Sequence, residues 1–245
     1  MQQTTTRHAD DDPSQSLPAG PADLRRFWRL LLAVVAPLPW LALAFSNAIT
    51  PDDLGSSTAD TFVSIAENPS AAKAALWSGL VFALLVVPSG VAMMLAHRRT
   101  SPRLTLIVGG FVTYAFYSAL LNPNLNLIGL ITHEQGLDAD TTTALASKLE
   151  EHPLSIIAII PFFLTITIGR IGLGVLLWRA RLAPRMVAVA MLAASPVEFL
   201  FVGASIGQNI GPALSYVLTA IGFAGASIAL LRMTDDDFDL PPHTA

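Results

Sequence analysis

The chain has 245 residues, 53% of them hydrophobic and only 13% charged, with a mean hydropathy of +0.57 and a net charge of −4. A soluble domain carries about a quarter of its residues as charges, so lipid is the expected solvent. Cysteine is absent, which excludes disulfides, thiol catalysis and cysteine-ligated metal, and the small net charge implies no nucleic-acid partner.

Residues 1–23 are polar, acidic and without periodicity, and read as a disordered cytoplasmic tail. Residues 24–232 carry six apolar blocks, at about 27–47, 75–97, 104–122, 154–178, 186–206 and 211–231. Each is near the ~20 residues that cross a bilayer. The fold class expected is therefore all-α, a polytopic membrane helix bundle of six transmembrane helices. Residues 233–245 form a second acidic tail.

The basic residues give the orientation. Arg25, Arg26 and Arg29 precede the first block, and Arg98, Arg99 and Arg103 separate the second from the third. Arg179, Arg181 and Arg185 separate the fourth from the fifth, and Arg232 closes the sixth. With six spans every arginine cluster falls on one side, which places both termini in the cytoplasm. The abundance of Arg over Lys and the Ala/Leu richness point to a bacterial inner membrane. The first block also has a basic start and an A-x-A pair at Ala42 and Ala44, the marks of a cleaved signal, although its apolar run is long enough to span.

Two outer loops carry helical patterns. Ala59, Phe62, Val63 and Ala66 make an apolar stripe at i, i+3, i+4, i+7, so residues 58–67 are expected to form a short helix. Leu145 and Leu149 stand four apart in a second, at 140–151, ended by Pro153. Both should lie on the outer face of the bundle. Span, outer helix, span and basic turn thus occurs twice, without residue identity strong enough to prove a repeat.

Two stretches, "STADTFVSIAENPSAAKAALWSGL" (57–80) and "GRIGLGVLLWRARLAPRMVAVAML" (169–192), resemble a family of uncharacterised six-span integral membrane proteins of bacteria, grouped as a domain of unknown function. The resemblance covers about 24–232 and implies the same six-helix architecture. It brings no activity and no functional residue.

Arg170 is the leading site candidate, a cation inside the apolar stretch 162–178. Counting at 1.5 Å per residue from Arg179 places it roughly 13 Å deep, and counting from Arg185 places Glu198 roughly 20 Å deep. Their side chains tilt toward each other on antiparallel spans, so an ion pair is expected. That pair reads either as a clamp between the fourth and fifth spans or as the centre of a polar site. Tyr114, Tyr117 and Ser118 fall at i, i+3, i+4 at a similar depth, with Ser195 and Ser205 on the Glu198 face and Thr167 on the Arg170 face. These either line the same polar centre or serve ordinary helix–helix hydrogen bonding.

Three enzyme-like patterns lack their context. "GASIG" (203–207) has no strand–turn–helix setting and no histidine in the interior of a span. "GRIGLG" lacks dinucleotide-loop spacing, and H-E-Q-G at His133 is not a zinc motif. No enzymatic activity, cofactor or metal is expected. The expected partners are the lipid bilayer and a membrane or cytoplasmic protein. The function expected is a structural or regulatory membrane component, the alternative a small transporter or channel around Arg170 and Glu198.

Overall fold

A computed structural model describes residues 24–51, 56–204 and 209–239, all-helical with no strand among them. The first apolar block forms α1 (Arg25–Val35) and α2 (Leu38–Ile49). The outer-face helices are α3 (Thr58–Glu67), α6 (Leu125–Gln135) and α7 (Ala139–Glu150). Long helices are α4 (Pro69–His97), α5 (102–119), α8 (Pro153–Ala180), α9 (Arg185–Gly203) and α10 (Ile210–Arg232). A last short helix, α11, covers Asp235–Asp239.

Five helical stretches are long and apolar enough to cross a membrane: Arg25–Ile49, Pro69–His97, Pro153–Ala180, Arg185–Gly203 and Ile210–Arg232. The expected third span, α5, is a continuous helix but is not among these five. Arg103, Tyr114, Tyr117 and Ser118 dilute its apolarity.

The break between α1 and α2 follows from proline. Pro37 has no N–H to return to the Ala33 carbonyl, so that acceptor needs a partner from outside the helix. Ser227 of α10 supplies it, Oγ donating at 2.5 Å, and Ser89 of α4 donates to the Ala36 carbonyl at 2.5 Å. Ser89 in turn accepts from Trp40 Nε1 at 3.0 Å. Trp40 is thereby held at the centre of the core, its ring against Phe82, Phe116 and Phe223.

Helices α8, α9 and α10 pack in series, with small residues setting the approach. A Cβ on Gly174 would fall 2.5 Å from Leu192 Cγ, and one on Gly222 would fall 2.3 Å from Met191 Cε. At Gly174 the Leu192 backbone N would lie only 3.2 Å away, so glycine lets α8 and α9 come close, whereas at Gly222 the nearest atom is the mobile end of Met191, with its Cβ at 3.0 Å. Gly174 stands one turn beyond Arg170, and Gly222 two turns beyond Ser215, so the contacts that join these helices also align their polar residues.

Helices α5 and α8 each contain one π-helical turn, Thr105–Gly109 ("TLIVG") and Thr165–Gly169 ("TITIG"). A π-turn inserts an extra residue and rotates the helix that follows. The second ends immediately before Arg170.

The outer cap differs from expectation in three ways. The buried face of α3 is Thr61, Phe62 and Ile65, one residue off the expected stripe, leaving Val63 exposed with Ala59 and Ala66. Ile65 is the bulkier anchor, and it sits against Leu130 and Ala72 in a small separate core. Leu145 and Leu149 of α7 are exposed, while Ala146 is buried. Helix α6 was not foreseen; its Gly129 admits Phe62 and Ile65, and Asn124 caps it by accepting from Leu127 N.

Candidate functional site

Arg170 opens the α-helical part of α8 after the π-turn and is fully buried, at 0% exposure. Its Nη1 donates to Glu198 Oε2 of α9 at 2.5 Å and to Ser215 Oγ of α10 at 2.5 Å. Ser215 donates to the same Glu198 oxygen at 2.8 Å. Three consecutive long helices thus meet at one closed triangle of hydrogen bonds. Glu198 is 7% exposed and Ser215 0%.

Aromatic rings cover the cation. The guanidinium carbon lies 4.7 Å from the Tyr216 ring centroid and 6.0 Å from that of Phe116. Both rings offer a negative π face in a desolvated setting, where such contacts are strongest. Arg170 Nε and Nη2 are buried and have no hydrogen-bond partner among the described residues. A bidentate arginine–carboxylate pair would use two nitrogens, so this cation is neutralised in charge while most of its donors stay idle.

Outside these rings lies a cavity of about 840 Å³ between α2, α4, α5 and α6. Phe82, Phe116, Phe162 and Tyr216 line its inner end; Ser46, Asn47, Lys73 and Asn126 give its mouth a polar character. Two of these rings, Phe116 and Tyr216, also lie against Arg170.

The remaining sequence candidates separate. Ser195 is buried on α9 one turn before Glu198. Tyr114 and Tyr117 are 61% and 52% exposed and do not join the cluster. The buried face of α5 runs instead through Val112, Ala115 and Phe116. A helix turns 100° per residue, and both sides of a membrane helix are apolar, so the i, i+3, i+4 spacing of the tyrosines does not tell which face is buried. Ser118 is buried and donates to the Ala158 carbonyl of α8 at 3.1 Å, a helix–helix bond. Among the described residues, Thr167 bonds only to carbonyls of its own helix, at Phe163 and Leu164. Ser205 and most of the GASIG stretch lie outside the described residues.

Sequence reading missed Ser215, Tyr216 and Phe116. Ser215 and Thr219 are both buried, four apart on α10, and that polar i, i+4 pair in an apolar block was the available signal.

At the arginine-rich end the acidic C-terminal segment is bound rather than free. Asp235 pairs with Arg29 at 2.8 Å, Asp236 with Arg25 at 3.1 Å and Asp237 with Arg99 at 2.6 Å. Arg98 also donates to the Phe238 carbonyl. Thr234 caps α11, accepting from Asp237 N at 3.1 Å and donating to its carboxylate at 2.8 Å. The Thr234 hydroxyl and then Arg99 hold the Asp237 carboxyl below the ordinary aspartate value of 3.8.

A family model described as Domain of unknown function (DUF4386) matches residues 30–233. The chain belongs to this family. The match takes in every long helix of this DUF4386 chain and the whole Arg170–Glu198–Ser215 triangle, leaving out the first turn of α1 and the α11 strap. No curated protein and no solved structure matches the chain.

Proposed function

We propose that the protein is a six-span component of the bacterial cytoplasmic membrane with both termini in the cytoplasm, structural or regulatory in role and without catalysis of its own. The one-sided arginine clusters support the orientation. Trp40, buried among rings from three other helices, supports retention of the first span. One observation carries the role: the Arg170–Glu198–Ser215 triangle is sealed by Tyr216 and Phe116 and joins three helices. That is the arrangement of a clamp. The test is ion flux in proteoliposomes loaded with a pH- or chloride-sensitive dye. Flux equal to that of protein-free vesicles is expected; flux abolished by Arg170→Leu would overturn the reading.

A second reading, a small transporter or channel centred on Arg170 and Glu198, draws on the two idle guanidinium nitrogens and the cavity that ends at Tyr216. A rotation of that ring would connect the two. Under this reading Tyr216→Ala raises flux or solute entry, whereas under the clamp reading it only destabilises.

A further inference from the structure

Independently of the buried triangle, the arginine-rich end holds a second cavity, of about 370 Å³. Its lining includes Arg99 from the α4–α5 turn, Arg181 from the end of α8, Arg232 from the end of α10, and Asp237 from α11. Three arginines from three separate parts of the chain thus line one space together with one aspartate. Arginine's planar fork matches the oxygens of a phosphate, and basic pockets between membrane helices suit phosphate headgroups.

Capping of helix ends is the plainer use of such arginines, since cations favour helix C-termini. It accounts for Arg232, whose Nη1 donates to the Leu182 carbonyl at 3.3 Å. It does not account for Arg181, which has neither an ion pair nor a side-chain hydrogen bond among the described residues. Arg181 also occupies a left-handed backbone conformation, φ 54°, ψ 24°, at the C-cap of α8. Glycine is the usual residue there. Arg181 is exposed, takes a backbone conformation that glycine would adopt at less cost, and lines the cavity beside two other arginines.

We propose that the Arg99–Arg181–Arg232 cavity binds a phosphate group, and that the Asp237 carboxylate is its internal competitor, closing the cavity when phosphate is absent. The phosphate can belong to an anionic lipid headgroup or to a free phosphate, and the two are separable by experiment.

The full chain in neutral maltoside micelles is unfolded thermally under two titrations. One compares inorganic phosphate with sodium chloride at matched ionic strength; the other compares micelles doped with phosphatidylglycerol or with phosphatidylcholine. A saturable rise in Tm with inorganic phosphate but not chloride identifies a free phosphate. A rise with phosphatidylglycerol alone identifies the headgroup. Arg181→Gly is the deciding variant, because glycine suits the left-handed C-cap and the fold should keep or raise its baseline Tm. Its response to phosphate should be lost. Asp237→Asn should bind about tenfold more tightly, if the carboxylate leaves the cavity open about a tenth of the time. No rise from either source, or an Arg181→Gly response equal to that of the native chain, overturns the site. An unchanged affinity in Asp237→Asn overturns the competition.

Discussion

Breaking the Arg170–Glu198 pair from one side should cost more than removing it altogether. Arg170 Nη1 stands 2.5 Å from Glu198 Oε2, and both side chains are out of water. With charge centres about 4 Å apart, their attraction is about 4 kcal/mol at an effective dielectric of 20. Arg170→Leu strands a carboxylate, and Glu198→Leu strands a guanidinium that keeps only Ser215 and the two rings. Each single variant should lose about 3–5 kcal/mol, the usual cost of an orphaned buried charge. The double variant removes both charges and should fall short of the summed losses by about 2–4 kcal/mol. Ser215→Ala should cost about 1–3 kcal/mol, since it removes hydrogen bonds to both charged partners. The assay is reversible unfolding in mixed maltoside and dodecyl sulfate micelles, read by tryptophan fluorescence, with Trp40 in the core as reporter. Single losses that add to within about 0.5 kcal/mol in the double variant would refute the coupling.

Other expectations rest on separate parts of the fold. Single cysteines at Ser57, Thr142 and Ser101 of this cysteine-free chain report sidedness: the first two should label from outside intact cells, and outside labelling of Ser101→Cys would invert the proposed orientation. Amide exchange in α3 and α7 should be slow, because Phe62, Ile65 and Ala146 are buried; exchange at the rate of an unstructured peptide would detach the outer cap. Gly174→Ala should cost about 1–3 kcal/mol, since its Cβ would fall 2.5 Å from Leu192 Cγ and 3.2 Å from Leu192 N; full stability would show that α8 and α9 pack otherwise. With pH, the α11 strap should loosen toward acid and not toward alkali. Asp237 has a lowered folded pKa, so its contribution is complete above the ordinary 3.8 and is lost as pH falls through the folded value. Hydrogen-exchange protection of the α11 amides, corrected for the intrinsic pH dependence of exchange, should therefore hold at neutral pH and fall below that point; equal protection throughout would mean the strap is not held by its carboxylates.

Some of this architecture was legible in the chain itself. Block length and apolarity marked out the long helices, and the arginines at their ends sorted to one side, because crossing a bilayer demands about twenty apolar residues whatever the packing. The Arg170–Glu198 contact was also legible. Its two determinants, depth from a basic turn and side-chain tilt on antiparallel neighbours, are local properties of helix geometry.

What the sequence left open was rotation about each helix axis and the arrival of distant helices. Tyr114 and Tyr117 read either as lining of the polar centre or as helix–helix contacts, and are exposed; Val63 read as buried and is exposed while Ile65 is buried. In a soluble helix a polar side would have flagged such errors. Here lipid and protein core are both apolar, so periodicity carries little information about which side is which, and a π-turn before Arg170 shifts the face again. Ser215 and Tyr216 reach Arg170 from 45 and 46 residues along the chain, and the acids of α11 reach arginines more than 130 residues away. Charge and helix length are local and were set by the amino acids in order. The third partner of the ion pair, the rings that seal it and the docking of the acidic segment depend on which helices lie side by side. That neighbourhood was decided by close packing at Gly174, Gly222 and Trp40, a property of the assembled bundle and of no single stretch of it.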